Sequence, residues 1–215
     1  MNVTAVLGCV MCGLALGLAS APAGVIYTYS TTPNATVPDG SPVGITSTLN
    51  ISGLGNILSS GDNVSVTLNI SGANRFNFNA DLYAYLSHTY NGNTVTVTLM
   101  NTPDGLTGTG MNITLSDTGI NGNIQDAVSD TSLSGTYIPS GGSMAFQGYN
   151  GMNPNGNWTL FIADIYGEYR ATSQTLTSWS LTLDVVPEPV NVALGVFGML
   201  FAVIVVVSRR AKRRI

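Results

Sequence analysis

Asn63-Val64-Ser65-Val66-Thr67-Leu68-Asn69-Ile70 decides the fold class, because polar and apolar side chains alternate through the whole run without a fault. Successive side chains of a strand point to opposite faces, so a period of 2 with one apolar face marks a half-buried antiparallel strand. Two further runs repeat it: Thr94-Val95-Thr96-Val97-Thr98-Leu99 and Ser178-Trp179-Ser180-Leu181-Thr182-Leu183. Asn91-Gly92, Asp104-Gly105, Asn121-Gly122, Asn150-Gly151 and Asn155-Gly156 punctuate the chain between such runs. These dipeptides supply the positive φ that tight turns require. Asn91-Gly92, between Leu82–Thr89 and Thr94–Leu99, is the best hairpin. From Val25 to Val186 the chain is rich in Thr, Ser, Asn, Gly and β-branched aliphatics and poor in the Lys and Glu that favour helix. The pattern predicts an all-β domain, an antiparallel jelly roll or β-sandwich of about eight strands. Residues Thr102 to Gly148 show few clear strands and read as extended loops, the place where ligand surfaces are commonly found.

The two ends differ from this body. Val3 to Ala19 is apolar and uncharged, and it closes in Ala19-Ser20-Ala21 and Ala21-Pro22-Ala23, small-residue patterns that signal peptidase accepts. Residues 1–23 are expected to be a signal peptide cleaved after Ala23, although Met1-Asn2 lacks the usual basic residue. Cys9 and Cys12 fall inside this segment, so the C-x-x-C spacing would be lost with it and the mature domain would be free of cysteine. Val190 to Val207 is apolar apart from Asn191. As a helix, its 18 residues would reach about 27 Å, enough for one transmembrane helix through a bilayer core. Ser208-Arg209-Arg210-Ala211-Lys212-Arg213-Arg214 follows directly, and this basic cluster places the tail in the cytoplasm and the body outside.

Charge is distributed to match. Of the seven basic residues, five lie in that tail and only Arg75 and Arg170 in the body. All eleven acidic residues lie between Asp39 and Glu188, so the exported part is acidic by about nine charges. That balance argues against nucleic acid or anionic lipid as partners of the body.

Ahead of the span stands Val186-Pro187-Glu188-Pro189. Each proline fixes φ and removes a backbone donor, so the segment should be stiff, extended and exposed, neither continuing a strand nor lying within a helix. Pro-Glu-Pro, apolar span and Arg-rich tail, in that order over Val186 to Ile215, resemble the PEP-CTERM sorting signal of Gram-negative bacteria. The resemblance implies recognition of Pro187, Glu188 and Pro189 by a membrane transpeptidase, the exosortase, and removal of the tail that carries Arg209 and Arg210. It also implies a life at the cell surface or in the exopolysaccharide matrix of a biofilm.

Several body segments, in order, resemble the P domain (P/Homo B) that follows the catalytic domain of proprotein convertases. They are Val37-Pro38-Asp39-Gly40, Ser47-Thr48-Leu49-Asn50-Ile51, Val64–Ile70 and Ala80-Asp81-Leu82-Tyr83-Ala84-Tyr85-Leu86. The series closes with Gly135-Thr136-Tyr137, Phe146, Asn155-Gly156-Asn157-Trp158-Thr159-Leu160, Asp164 and Leu176-Thr177-Ser178-Trp179-Ser180-Leu181. The resemblance covers roughly Val37 to Val185 and implies a jelly roll whose last segments are two adjacent core strands. It departs at Arg75-Phe76-Asn77-Phe78, where the family often carries a His-Thr-Tyr strand, and at a lengthened loop over Tyr166–Thr175. No protease domain is read ahead of it in these 215 residues, so the convertase role of stabilising a neighbour in cis is not expected here. The expected organisation is therefore a signal peptide at 1–23, an N-terminal extension at 24–36, the sandwich at 37–186 and the sorting signal at 187–215.

No catalytic constellation stands out. His88 is the single histidine and sits near the Asn91-Gly92 turn, where an exposed polar side chain is expected. One histidine and no mature cysteine cannot make a zinc site. Calcium suits the body better, because it takes carboxylate and carbonyl oxygens and Asp81, Asp117, Asp126, Asp130 and Asp164 fall at expected strand ends or loops. The P-domain resemblance singles out Asp81 and Asp117 as its ligands. The alternative is that these aspartates cap turns. Trp158 and Trp179 are in phase with core neighbours, whereas Tyr83, Tyr85 and Tyr90 are the better candidates for an exposed ligand surface. Three readings follow: a binding or structural module of the envelope, an accessory subunit that stabilises a separate secreted subtilisin-like protease, or a calcium-dependent adhesin for polysaccharide.

Overall fold

The alternating run at 63–70 becomes the strand β5, Val64–Ser71, whose Val64, Val66, Leu68 and Ile70 are buried while the intervening side chains reach solvent. The structure is a computed structural model that describes residues 24–54, 56–58, 63–72, 78–167, 173–187 and 195–205. Residues 1–23 and the positions of Glu188, Pro189, Arg209 and Arg210 lie outside the described residues, as do Arg75, Glu168 and Arg170.

Eleven strands are present among the described residues, more than the eight expected. They are β1 (Val25–Thr31), β2 (Ala35–Val37), β3 (Ser41–Ile51), β4 (Asn56–Leu58), β5, β6 (Leu82–Tyr90), β7 (Asn93–Asn101), β8 (Met111–Ser116), β9 (Leu133–Tyr137), β10 (Gly156–Asp164) and β11 (Gln174–Pro187). One sheet has the order β1-β11-β5-β8-β9, with the short β2 and β4 also paired to β11, and the other has the order β3-β10-β6-β7. The inner faces enclose one apolar core that includes Leu68, Leu86, Leu99, Ile162 and Leu181. Trp158 and Trp179 are fully buried in it, as their phase predicts. Their indole N–H groups are satisfied by Pro154 O and Ser47 Oγ, both at 2.9 Å, and the second bond ties β11 to β3 across the two sheets.

The hairpin forms as read: β6 and β7 pair from Tyr90↔Asn93 inward, and Asn91 (φ 49°) and Gly92 (φ 81°) both take the left-handed conformation of a type I′ turn. Three expectations are corrected. Residues 25–31 are no extension: β1 pairs with β11 over its full length, Val25↔Val185 to Thr31↔Trp179, and belongs to the sheet. The sheets are not wholly antiparallel, since β8 and β9 run parallel, Met111↔Leu133 to Leu115↔Tyr137. Parallel neighbours need a long crossover, and residues 117–132 supply it inside the stretch that reads as loop. Finally, β11 continues through Val186 to Pro187, where Pro187 pairs with Asn56 as the terminal residue. A proline at a strand's last position withdraws no N–H from its interior, so the strand tolerates it there.

Residues 195–205 form a helix whose Phe197, Met199, Phe201, Val203 and Ile204 are exposed. Among the described residues no helix is long and apolar enough to cross a membrane.

Candidate binding groove

The outer face of the β3-β10-β6-β7 sheet carries the side chains of odd-numbered residues of β6, because Leu82, Ala84, Leu86 and His88 are the ones turned into the core. Tyr83 and Tyr85 therefore stand on that face. Tyr85 pairs across the strands with Phe161 of β10, and their rings stack at 4.7 Å and 12°. Tyr83 meets both edge-on, at 6.2 Å from Tyr85 and 6.3 Å from Phe161. These three rings line a groove of about 470 Å³ whose other walls include Pro42, Ile165 and the exposed Tyr166. Asn101 and Thr102 give it a polar lip.

The lip is strained. Thr102 has φ 46°, a left-handed conformation that a β-branched residue rarely adopts, and its N–H donates to Leu82 O at 3.0 Å. Such a conformation costs roughly 1–3 kcal/mol and tends to persist at sites of function. The neighbouring Asn101 is fixed from the far side: its backbone N–H donates to Gln125 Oε1 at 3.0 Å, and Gln125 Nε2 donates to Asn101 O at 2.8 Å. A side-chain amide thus completes the edge of β7 as another strand would.

Tyr90 does not join this surface. It lies at the hairpin, the opposite end of β6, and its even number gives it the other parity. Asp81 and Asp117 are also separated. Asp81 closes a 3-10 turn (Asn79–Asp81) at the groove end of the molecule, where its carbonyl accepts from Ile165 N–H at 2.9 Å. Asp117 follows β8 at the hairpin end and accepts from the Phe146 N–H at 3.1 Å. Lying at opposite ends of the sandwich, the two cannot share a calcium ion. Among the described residues no group of three or more His, Cys, Asp or Glu is arranged to hold a metal.

Asp81 instead neighbours Asp164, the last residue of β10, which the sequence did not link to it. Asp164 is 1% exposed and turned inward, toward the buried Gln174 that opens β11. Burial, then the charges of Asp81 and Asp39, push its carboxyl up to about 7, against hydrogen bonds from the Gly40 N–H and the Gln174 amide. Among the described residues its Oδ1 has no hydrogen-bond partner.

His88 is buried, not exposed as its place near the turn suggested. Its ring stacks on Trp158 at 4.0 Å and 12°, Nε2 lies 2.8 Å from Asn153 O, and Nδ1 lies 3.4 Å from Asn157 O. Burial pulls its pKa below the ordinary value and outweighs the two carbonyls that would favour the charged ring. A neutral ring that donates from Nε2 satisfies this geometry.

No family model matches the chain, and neither a curated protein nor a solved structure matches it.

Proposed function

We propose that the protein is an exported, non-catalytic binding module of jelly-roll type, carried to the bacterial cell surface or its exopolysaccharide matrix by a C-terminal sorting signal. The observation that carries the binding role is the groove of Tyr83, Tyr85 and Phe161, an open aromatic surface on a hydrogen-bonded sheet beside a strained Thr102. Rigid sheet positions hold such rings without the entropy cost of ordering a loop. The non-catalytic reading is supported by His88, whose two ring nitrogens face backbone carbonyls inside the core, where no substrate reaches them.

The sorting role rests on the order of Pro187-Glu188-Pro189, the apolar run from Val190 to Val207, and Arg209 and Arg210 beyond it. The exposed apolar side chains of helix 195–205 support its membrane placement, since water is a poor solvent for such a surface. In this reading signal peptidase removes residues 1–23, the helix holds the body outside the inner membrane, and an exosortase cuts near the Pro-Glu-Pro segment. The test is the intact mass of the protein from its native host, taken from membrane and medium. A species that begins near Gly24 and ends near Pro187 is expected. One found only in the membrane with its Arg-rich tail attached would leave a permanently anchored surface domain and end the sorting reading.

A further inference from the structure

The groove does not end at its rings. Along the outer face of the same sheet, strand registers place uncharged polar side chains in rows that run across all four strands. The row next to Phe161 and Tyr85 is Thr48–Thr159–Ser87–Thr96, and the one beyond it is Asn50–Asn157–Thr89–Thr94. Cross-strand bonds hold these side chains in place: Thr48 to Thr159 at 2.8 Å, Thr89 to Thr94 at 2.8 Å, and Asn50 Nδ2 to Asn157 Oδ1 at 2.6 Å. Thr48, Asn50, Thr94, Thr96 and Asn157 are exposed. Neither row contains a charge. From Tyr83 to Thr89 the track runs about 20 Å at the usual strand rise.

We infer that this face binds a neutral polysaccharide strand, with a sugar ring against the Tyr83–Tyr85–Phe161 platform and further hydroxyls on the Thr/Ser/Asn rows. The inference deepens the binding role proposed above and rests on it, but not on the sorting role. Four features select this occupant. The rings offer a flat apolar surface to the C–H face of a pyranose. The rows offer donors and acceptors already fixed in register, which match hydroxyls and require no ion to be desolvated. The acidic excess of the body, about nine charges, repels a polyanion. A long open track suits a repeating chain better than a small molecule, which needs enclosure.

The full chain, purified from whichever host fraction holds it, is run in native gels containing a β-glucan, a galactomannan or a dextran, with alginate as the anionic comparator. Retardation by at least one neutral polysaccharide is expected. Tyr85→Ala or Phe161→Ala should weaken it at least tenfold. Thr96→Val and Thr159→Val, which keep side-chain shape and remove only hydroxyls, should weaken it severalfold while the melting temperature stays near that of the parent. Retardation by alginate alone, or by none of the four, would overturn the inference. So would sedimentation showing that Tyr85→Ala dissociates a dimer, because the face would then bind a second copy of the chain. Intact mass of the same preparation reports on sorting separately, so failure of one reading leaves the other standing.

Discussion

Two buried titratable groups pull stability in opposite directions with pH. Asp164, raised to about 7 in the fold, binds a proton there that the unfolded chain has already released, so its contribution to stability falls as pH rises from about 4 to about 7. His88 is depressed, so the unfolded chain takes up the proton first and stability is lost as pH falls below about 6.5. The two slopes oppose each other over part of that range, and variants separate them. Asp164→Asn, a neutral isostere of the protonated acid, should melt higher than the parent at pH 8 and lose stability more steeply toward acid. His88→Phe, which keeps a ring against Trp158, should lose the acid-side decline, and melting curves at pH 5 and pH 8 check both. Of these residues His88 was the more legible. Counting parity from Leu82, Ala84 and Leu86 turns it inward, and in a regular strand parity outranks proximity to the turn. The same count admits Tyr83 and Tyr85 to the groove and rejects Tyr90. Phe161 carried a signal too, an apolar residue out of phase with Trp158, Leu160 and Ile162. The meeting of Asp164 with Asp81 and Gln174 left none, because sheet packing brings them together from three distant segments.

At the scale of elements, strands with one wet face were legible and those defined by distant partners were not. β5, β6, β7 and β11 each alternate, and the β6–β7 turn is written in two residues. Gly92 takes φ 81°, so Gly92→Ala should cost about 1–2 kcal/mol, read from the shift in denaturant midpoint with unchanged slope. β8 and β9 were hidden because a parallel pair carries no turn between its members. Their register depends on the crossover at 117–132, within which Asn123 Oδ1 accepts from the Gln125 N–H at 2.9 Å and orients the Gln125 amide toward Asn101. β1 shows no partner in the local pattern, because the strand it pairs with lies at the far end of the body.

For the whole molecule, β11 is the organising strand: it pairs with β1, β2, β4 and β5. A chain stopped before Gln174 should therefore keep no native β-sandwich, which loss of near-ultraviolet dichroism and of protease resistance would register. This follows from topology, since removing an interior strand strips the hydrogen-bond partners of its neighbours rather than shortening an edge. If the chain is exported as proposed, the order of its strands governs when this sheet can form. A polypeptide threaded through a translocation pore with its N-terminus first delivers β1 to the far side long before β11, and among the described residues β1 pairs with no strand other than β11. Until the final segment clears the pore, the seven-stranded sheet has no centre. Under the proposed export its assembly would be timed by completion of transit, and the waiting strands, with their edges unpaired, would be the stage at which a periplasmic holding chaperone matters most.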